Sequence, residues 1–201
     1  ILIKRETYMR RIRPFIGNEL IKVMTGIRRA GKSVMLELIQ EELICSGVTP
    51  EHFISINFED LRYMRLLDAM ALHEEILRRA EQIEGKVYLF FDEIQEVTDW
   101  EKCINSFRVS LNCDIYITGS NAKLLSGELA TYLGGRYVEF AIYPFSFSEF
   151  LELYHTMDPV ASVQQCFKSY LLVGGMPYLS NIRYEEEPAK QYLTDLFHSV
   201  S

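Results

Sequence analysis

A short glycine-containing segment, residues 26–33, has the spacing of a phosphate-binding loop. It reads GIRRAGKS, so that Gly26 is followed by four residues and then by Gly31, Lys32 and Ser33. In loops of this pattern, backbone N–H groups surround phosphate oxygens, the lysine reaches the outer phosphates and the serine hydroxyl is a ligand of Mg²⁺. The alternative is an ordinary turn between a strand and a helix with an exposed lysine.

The elements predicted on either side favour phosphate binding. Residues 20–25 are predicted to form a strand that runs directly into the loop, and the apolar residues from Val34 to about Ile44 predict a helix packed against a sheet. We therefore predict a nucleotide-binding loop in which Lys32 also acts in catalysis. The residues expected to contact the nucleotide are Gly26, Ile27, Arg28, Arg29, Ala30, Gly31, Lys32, Ser33 and Val34.

Two acidic residues, Asp92 and Glu93, follow the continuous apolar run 87–91. Such a run is typical of a strand buried on both faces. Hydrolysis of a bound triphosphate needs a residue that holds the metal and a second residue that activates water. We predict that Asp92 holds Mg²⁺ together with Ser33, and that Glu93 is the general base; two solvated acids at the end of a strand are the alternative.

Further candidates follow other predicted strands. Ser120 and Asn121 come after the strand around residues 115–117, so Ser120 could bind the nucleotide and Asn121 could act in catalysis by contacting the γ-phosphate. An ordinary polar turn explains these two residues nearly as well. Arg136 follows two glycines and could reach a phosphate in the same chain or in a neighbouring subunit, with a plain surface arginine as the alternative.

Predicted strands and helices alternate along most of the chain. This order indicates an α/β fold with a mainly parallel five-stranded sheet, helices on both faces and a small helical extension. We predict a core domain at 1–145 that begins with a short amphipathic helix at residues 5–16, and a lid-like extension at 146–201. The predicted strands are 20–25, 53–58, 87–91, 115–117 and 137–142, and the predicted helix N-terminal capping boxes are Thr98 with Glu101 and Ser146 with Glu149.

Composition indicates a soluble globular protein. The 201 residues are 48% apolar and 24% charged, no apolar run is long enough to cross a bilayer, and the first thirty residues lack the organisation of a signal peptide. We expect a cytoplasmic protein without membrane association. The four cysteines are widely separated, so they are predicted to be reduced core thiols rather than metal ligands; they are Cys45, Cys103, Cys113 and Cys166.

The net charge of −7 is unevenly distributed. Residues 1–33 contain nine Lys or Arg and two Glu, whereas the remainder is strongly acidic. An acidic pI near 5.2 argues against sequence-independent DNA binding, although a local basic patch leaves nucleic acid as an open alternative. We interpret Arg10, Arg11 and Arg13 as a solvated helix face.

The ordered set of motifs resembles the prokaryotic AAA-type ATPases that usually carry a DUF4143 domain behind the ATPase domain. The resemblance covers nearly the whole chain and rests on GIRRAGKS at 26–33, INFED at 56–60, DEIQ at 92–95, TGSN at 118–121, GR at 135–136, PFSFSEF at 144–150 and GGMP at 174–177.

This resemblance implies a P-loop NTPase fold of the additional-strand type, in which the fourth strand lies between the loop strand and the Asp92 strand. The resemblance also implies nucleotide-site positions for Lys32, Ser33, Asp92 and Glu93, and the sensor position for Ser120 or Asn121. It also implies that a DUF4143-like domain follows in cis about where this chain stops. No second sensor arginine can be assigned with the motifs.

The motifs support an ATPase, with ATP and Mg²⁺ as cofactors, that switches or moves an attached domain. A nucleotide-gated binding switch with little turnover is a second hypothesis, and a P-loop kinase is a third. The kinase is disfavoured because Glu93 provides a base for water and no arginine-rich lid is evident. An oligomer is possible, and the sequence leaves the preference for ATP over GTP open.

Overall fold

The computed structural model describes residues 2–120, 124 and 131–200 of the chain. The chain divides into two compact units, which we call the sheet unit and the helical unit. The sheet unit comprises Glu6–Gly26 and Lys32–Ala141, and the helical unit comprises Ile1–Arg5, Ile27–Gly31 and Ile142–Ser201. The boundary expected between residues 145 and 146 stays a prediction.

Five strands form one sheet in the order β2-β3-β4-β1-β5, and every neighbouring pair is parallel. Because β4 pairs with β1 on one side and with β3 on the other, the predicted insertion of the fourth strand is confirmed. The carboxyl ends of parallel strands meet at one edge of a sheet, which we call the carboxyl edge. The strands are β1 (Ile21–Thr25), β2 (Phe53–Asn57), β3 (Val87–Asp92), β4 (Cys113–Thr118) and β5 (Tyr137–Ala141).

Helices cover both faces of the sheet and complete three layers. On one face, Ile76 and Phe107 join an apolar core with the inward-facing Ile54 of β2. On the other face, the Gln40 side chain donates to Ser55, which alternates with Ile54 along β2. The predicted α/β sandwich is therefore confirmed. The described helices of this unit are α1 (Glu6–Ile12), α2 (Lys32–Cys45), α3 (Ala69–Ala80) and α4 (Trp100–Ser110).

A buried ion pair links β1 to β4. The Lys22 Nζ lies 2.5 Å from Asp114 Oδ1, and neither side chain is exposed. Asp114 Oδ2 accepts from the Tyr116 hydroxyl at 2.6 Å and from the Gly17 N–H at 2.8 Å. Burial lowers the pKa of Lys22, because desolvation disfavours the ammonium, and raises the pKa of Tyr116. The buried polar side chains of Lys22, Asp114 and Tyr116 are thus partners of one another.

The helical unit contains three described α-helices, α5 (Phe147–Met157), α6 (Val163–Val173) and α7 (Glu186–Val200). Phe150, Cys166 and Leu179 are fully buried at its core. The predicted capping box is present, since the Ser146 hydroxyl accepts from the Glu149 N–H and the Glu149 side chain accepts from the Ser146 N–H. None of the helices in the described ranges is long and apolar enough to cross a membrane.

Two local predictions about helix starts and ends are wrong. The capping box at Thr98 does not form; instead, α4 begins at Trp100 with Asp99 at its N-cap in the left-handed conformation. The Thr98 N–H donates to the Leu67 carbonyl, so this residue belongs to the preceding turn. The first helix is also shorter than expected and ends at Ile12, because a 3₁₀ turn containing Pro14 follows it.

The cysteines differ in their surroundings. Cys103 and Cys166 are buried and Cys113 is half-buried, whereas Cys45 is exposed at the end of α2, so the prediction of a core thiol is wrong for Cys45. Burial raises the pKa of Cys103 to about 12 and that of Cys113 to about 11. These two thiols therefore stay protonated at neutral pH and are poor nucleophiles and metal ligands.

Candidate nucleotide-binding site

The GIRRAGKS segment joins the end of β1 to the start of α2. Gly26 has a φ of 146° and Gly31 a φ of 103°, a region that glycine enters without a steric penalty. Lys32 is the first residue of α2 and is only 4% exposed. Its Nζ donates to the Gly26 carbonyl at 3.1 Å. The lysine of the motif is thus folded back to the start of its own loop.

The acidic pair lies at the carboxyl edge of the sheet. Asp92 is the last residue of β3 and is 7% exposed. Glu93 follows it, and the Glu93 Oε1 lies 3.8 Å from the Lys32 Nζ. Two residues that are 61 positions apart in the sequence, and that were both predicted as catalytic, are therefore neighbours in the structure.

Thr118, which was not predicted as a site residue, holds both acids in place. This fully buried residue ends β4, and its hydroxyl donates to Asp92 Oδ1. The same hydroxyl accepts from the Glu93 N–H at 3.0 Å. The sequence shows only a hydroxyl residue at the end of a strand. The position of Thr118 beside Asp92 becomes clear once β3 and β4 are known to pair.

Glu93 is fixed by its backbone and by a neighbouring side chain. Its φ of 54° and ψ of 49° are left-handed, which is uncommon for a residue other than glycine. The Gln95 side-chain amide donates to Glu93 Oε2, while Lys32 faces Oε1. The Gln95 Oε1 is buried, and no hydrogen-bond partner for it occurs among the described residues. The carboxylate is therefore contacted on both oxygens.

Gly119 is needed because side chains pack against its Cα. A Cβ at this position would lie 2.3 Å from Gln95 Oε1 and 2.3 Å from Leu124 Cδ1. We expect Gly119→Ala to displace these groups and to lower the free energy of unfolding by about 1–3 kcal/mol, measured by urea denaturation. The adjacent Ser120→Ala adds no volume and is the control; equal stability of both variants would contradict this account.

The donor set fits a hard divalent cation in part. Mg²⁺ is usually bound through one or two carboxylates, substrate phosphates and water. Asp92 provides a buried carboxylate and Ser33, exposed in the first turn of α2, provides a hydroxyl. No group of three or more His, Cys, Asp or Glu that could hold a metal occurs in the described ranges. The residues therefore fit Mg²⁺ that arrives with a nucleotide.

The remaining nucleotide-binding candidates have mixed placements. Ser120 lies two residues after the end of β4 and is half-buried, and Val34 is half-buried in the first turn of α2. Asn121 lies outside the described residues. Ile27, Arg28 and Arg29 are exposed, whereas Ala30 is fully buried. Within the helical unit, the Arg29 guanidinium lies over the Tyr192 ring, 5.7 Å from its centroid.

Arg136 lies at the opposite edge of the sheet. It precedes β5, and its carbonyl accepts from the N–H of Ile21, the first residue of β1. A five-residue strand spans roughly 16 Å, so the structure does not bring Arg136 to the acids of its own chain. Its guanidinium instead donates to Asn105 at 3.1 Å. The predicted catalytic role of Arg136 within its own chain is therefore corrected. Arg136 lies at the start of a strand, whereas the acids lie at the carboxyl edge, and in a parallel sheet the length of a strand separates the two.

The inserted strand, the glycine-rich loop and the two acids at the end of β3 define the class of P-loop ATPases. Residues 18–151 match the model of the AAA domain family. The chain therefore belongs to the AAA domain family.

Two relatives are each named as an uncharacterized protein. One, from Haemophilus influenzae, is 40% identical over 200 residues, which is 99% of this chain and 49% of the relative. The other, from Methanocaldococcus jannaschii, is 36% identical over 191 residues, which is 89% of this chain and 41% of the relative. This chain thus spans about half the length, or less, of these relatives.

Similar solved structures share the fold. The Cdc6p structure from Pyrobaculum aerophilum aligns with a TM-score of 0.59 and 16% identity, over 94% of this chain and 60% of that chain. The Orc1 structure from Aeropyrum pernix, in complex with DNA, aligns with a TM-score of 0.56 and 12% identity, over 78% of this chain and 49% of that chain. At these identities the likeness extends to the fold alone.

Proposed function

We propose that this chain is an ATP-binding and ATP-hydrolysing AAA-type module that switches or drives an attached domain. The observation that carries the proposal is the approach of the buried Lys32 Nζ to within 3.8 Å of the Glu93 carboxylate. Asp92 lies beside Glu93 and is held by the Thr118 hydroxyl. A cation at the start of a helix beside two fixed acids matches the needs of phosphate binding and water activation.

In the proposed binding step, Lys32 exchanges its present partners for phosphate oxygens. The backbone N–H groups of residues 26–33 contribute further hydrogen bonds at the start of α2. Ser33 and Asp92 would hold Mg²⁺, directly or through water. Bound Mg²⁺ would neutralise part of the phosphate charge and polarise the terminal group.

In the proposed hydrolytic step, Glu93 accepts a proton from water. Once Lys32 turns to the phosphates, Glu93 Oε1 is free to accept it, while the Gln95 amide still fixes Oε2. The two hydrogen bonds of the Thr118 hydroxyl keep the Asp92 carboxylate and the Glu93 backbone in position during this step. A positioned general base of this kind contributes about 10²–10⁴-fold to the rate.

The wider setting is part of the proposal. The relatives are about twice as long as this chain, which supports an attached domain, and we infer a DUF4143-like domain in cis from the motif resemblance. A cytoplasmic setting is inferred from composition. The contact of Arg136 with a neighbouring subunit stays a prediction, and contact with nucleic acid stays an open alternative.

Replacing Lys32 by alanine tests nucleotide binding. We expect the affinity for Mg²⁺-ATP to fall by about tenfold to a hundredfold, because a charged hydrogen-bonding group contributes roughly 1.5–3 kcal/mol. Titration with a fluorescent ATP analogue measures the dissociation constant. Lys102→Ala is the control, because Lys102 is an exposed lysine paired with Asp99; unaltered affinity in Lys32→Ala would refute the proposed site.

A nucleotide-gated switch with little turnover is a second candidate. It is favoured by the contacts of Lys32 and Gln95 with both oxygens of the Glu93 carboxylate, since a base held in this way is not free to act on water. Steady-state phosphate release by the unmodified protein separates the two functions. Measurable release supports an ATPase, whereas tight ATP binding with negligible release supports the switch.

A further inference from the structure

We propose that Arg5 is a positioning residue that fixes the phosphate-binding loop and connects its occupancy to the start of α5. This inference rests on the proposed binding of a nucleotide by residues 26–33. Arg5 precedes α1 in the sequence and belongs to the helical unit together with loop residues 27–31. Only 2% of its surface is exposed.

One guanidinium contacts two segments that are distant from Arg5 in the sequence, the loop at Ala30 and residues 143–149. The Arg5 Nη1 donates to the Ala30 carbonyl at 2.9 Å, and Nη2 donates to the Tyr143 carbonyl at 2.7 Å. The Nε donates to Glu149 Oε1 at 3.1 Å, and Nη2 reaches Glu149 Oε2 at 3.3 Å. The guanidinium also lies over the Phe145 ring, 5.1 Å from its centroid. All of these partners belong to the helical unit.

The contact with Ala30 orients a donor of the loop. In a trans peptide unit the C=O and the following N–H point in opposite directions. When Arg5 holds the Ala30 carbonyl, the Gly31 N–H therefore points away from the guanidinium. Gly31 also approaches Arg5 closely, because a Cβ on Gly31 would lie 3.1 Å from Nη1. The orientation of one predicted phosphate donor thus depends on Arg5.

The contact with Glu149 extends this arrangement to α5. The Glu149 carboxylate accepts from Arg5 and, at 2.9 Å, from the Ser146 N–H at the N-cap of α5. A change in the Ala30 peptide would shift Arg5, and with it the carboxylate that caps the helix. Because the interaction is reciprocal, ordering of the loop by a nucleotide should stabilise the first turn of α5.

Lysine cannot replace arginine in this role. The planar guanidinium presents five N–H donors in a fixed geometry, whereas an ammonium is a point charge on a flexible chain. The Arg5 backbone is also left-handed, with a φ of 46°, a conformation that an arginine adopts only when its surroundings impose it. Both features indicate that the role of Arg5 depends on the geometry of its guanidinium and backbone, and not on its charge alone.

The test compares Arg5→Lys and Glu149→Gln with the unmodified protein. We expect Arg5→Lys to raise the KM for ATP by about tenfold, because it loses charged hydrogen bonds that orient the loop. The kcat should change by less than about twofold, since these contacts do not involve the water-activating base. Glu149→Gln should shift KM in the same direction, because the neutral amide holds Arg5 less firmly.

Hydrogen exchange gives a second readout. In the unmodified protein, an ATP analogue should slow exchange of the backbone N–H groups at 146–150, and this protection should be lost in Arg5→Lys. A purely structural Arg5 would change the melting temperature without altering KM or the protection. Arg13→Lys is the control, because Arg13 is an exposed arginine that pairs with Glu6 and Glu42 rather than with Glu149.

Each outcome decides the question. An increased KM with retained kcat and lost protection supports the inference. Unchanged KM and protection in both variants overturns it and leaves the ATPase proposal intact. If Arg5→Lys does not fold, Glu149→Gln decides alone, since it keeps the shape of the side chain. If the unmodified protein binds no nucleotide, the proposed function fails and this inference fails with it.

Discussion

Glu93→Gln is expected to lower the kcat of ATP hydrolysis by about 10²–10⁴-fold while ATP binding is retained. Glutamine keeps the size of the side chain but cannot accept a proton from water at neutral pH. The Lys32 side chain, which contacts Glu93, is unchanged, so the loop should still bind phosphates. Phosphate release and analogue titration measure the two effects separately.

Glu96→Gln provides the comparison for this experiment, because Glu96 is an exposed acid three residues further along the chain. The rate of ATP hydrolysis by Glu96→Gln should match that of the unmodified protein. Retained hydrolysis in Glu93→Gln would mean that another group activates water, and the assignment of Glu93 would be abandoned. Transfer of phosphate to an added acceptor, in place of release, would support the kinase hypothesis.

Lys22→Met is expected to lower the free energy of unfolding by about 3–5 kcal/mol. The substitution removes the ammonium that lies 2.5 Å from Asp114 Oδ1 and leaves a buried carboxylate without its countercharge. Tyr116 and Gly17 still donate to the other oxygen, but two neutral donors do not compensate a full charge. Urea denaturation measures the loss.

Two further variants complete this test. Lys102→Met removes one partner of an exposed pair with Asp99, and because solvent screens such a pair this variant should lose far less stability than Lys22→Met. In Lys22→Met with Asp114→Asn, the amide oxygen can still accept from Tyr116 without a buried charge, so part of the stability should return. A loss in Lys22→Met no larger than in Lys102→Met would contradict the burial argument.

Local sequence patterns predicted most of the sheet. The run that became β3 is apolar at every position before Asp92, and Leu89, Phe90 and Phe91 are fully buried as such a run requires. The start of α4 was predicted less well. Thr98 has the spacing of a capping residue, but its N–H is taken by Leu67, a partner 31 positions away, so tertiary structure moved the helix start to Trp100.

The candidate site was predictable where its chemistry follows from short motifs. Lys32, Asp92 and Glu93 could be named because each lies at a fixed place relative to a strand end. Thr118 could not be assigned, because its role depends on the register between β3 and β4. Arg5 was also missed, since its partners are 25, 138 and 144 positions away along the chain.

The left-handed backbone of Glu93 bears on any effort to engineer this protein. Glycine and asparagine adopt that conformation at lower cost than glutamate, so a selection for heat resistance alone would favour them at position 93. Variants recovered in that way would survive higher temperatures and yet lack the side chain assigned to water activation. Libraries aimed at durability should therefore keep codon 93 invariant, or pair every thermal screen with an assay of turnover.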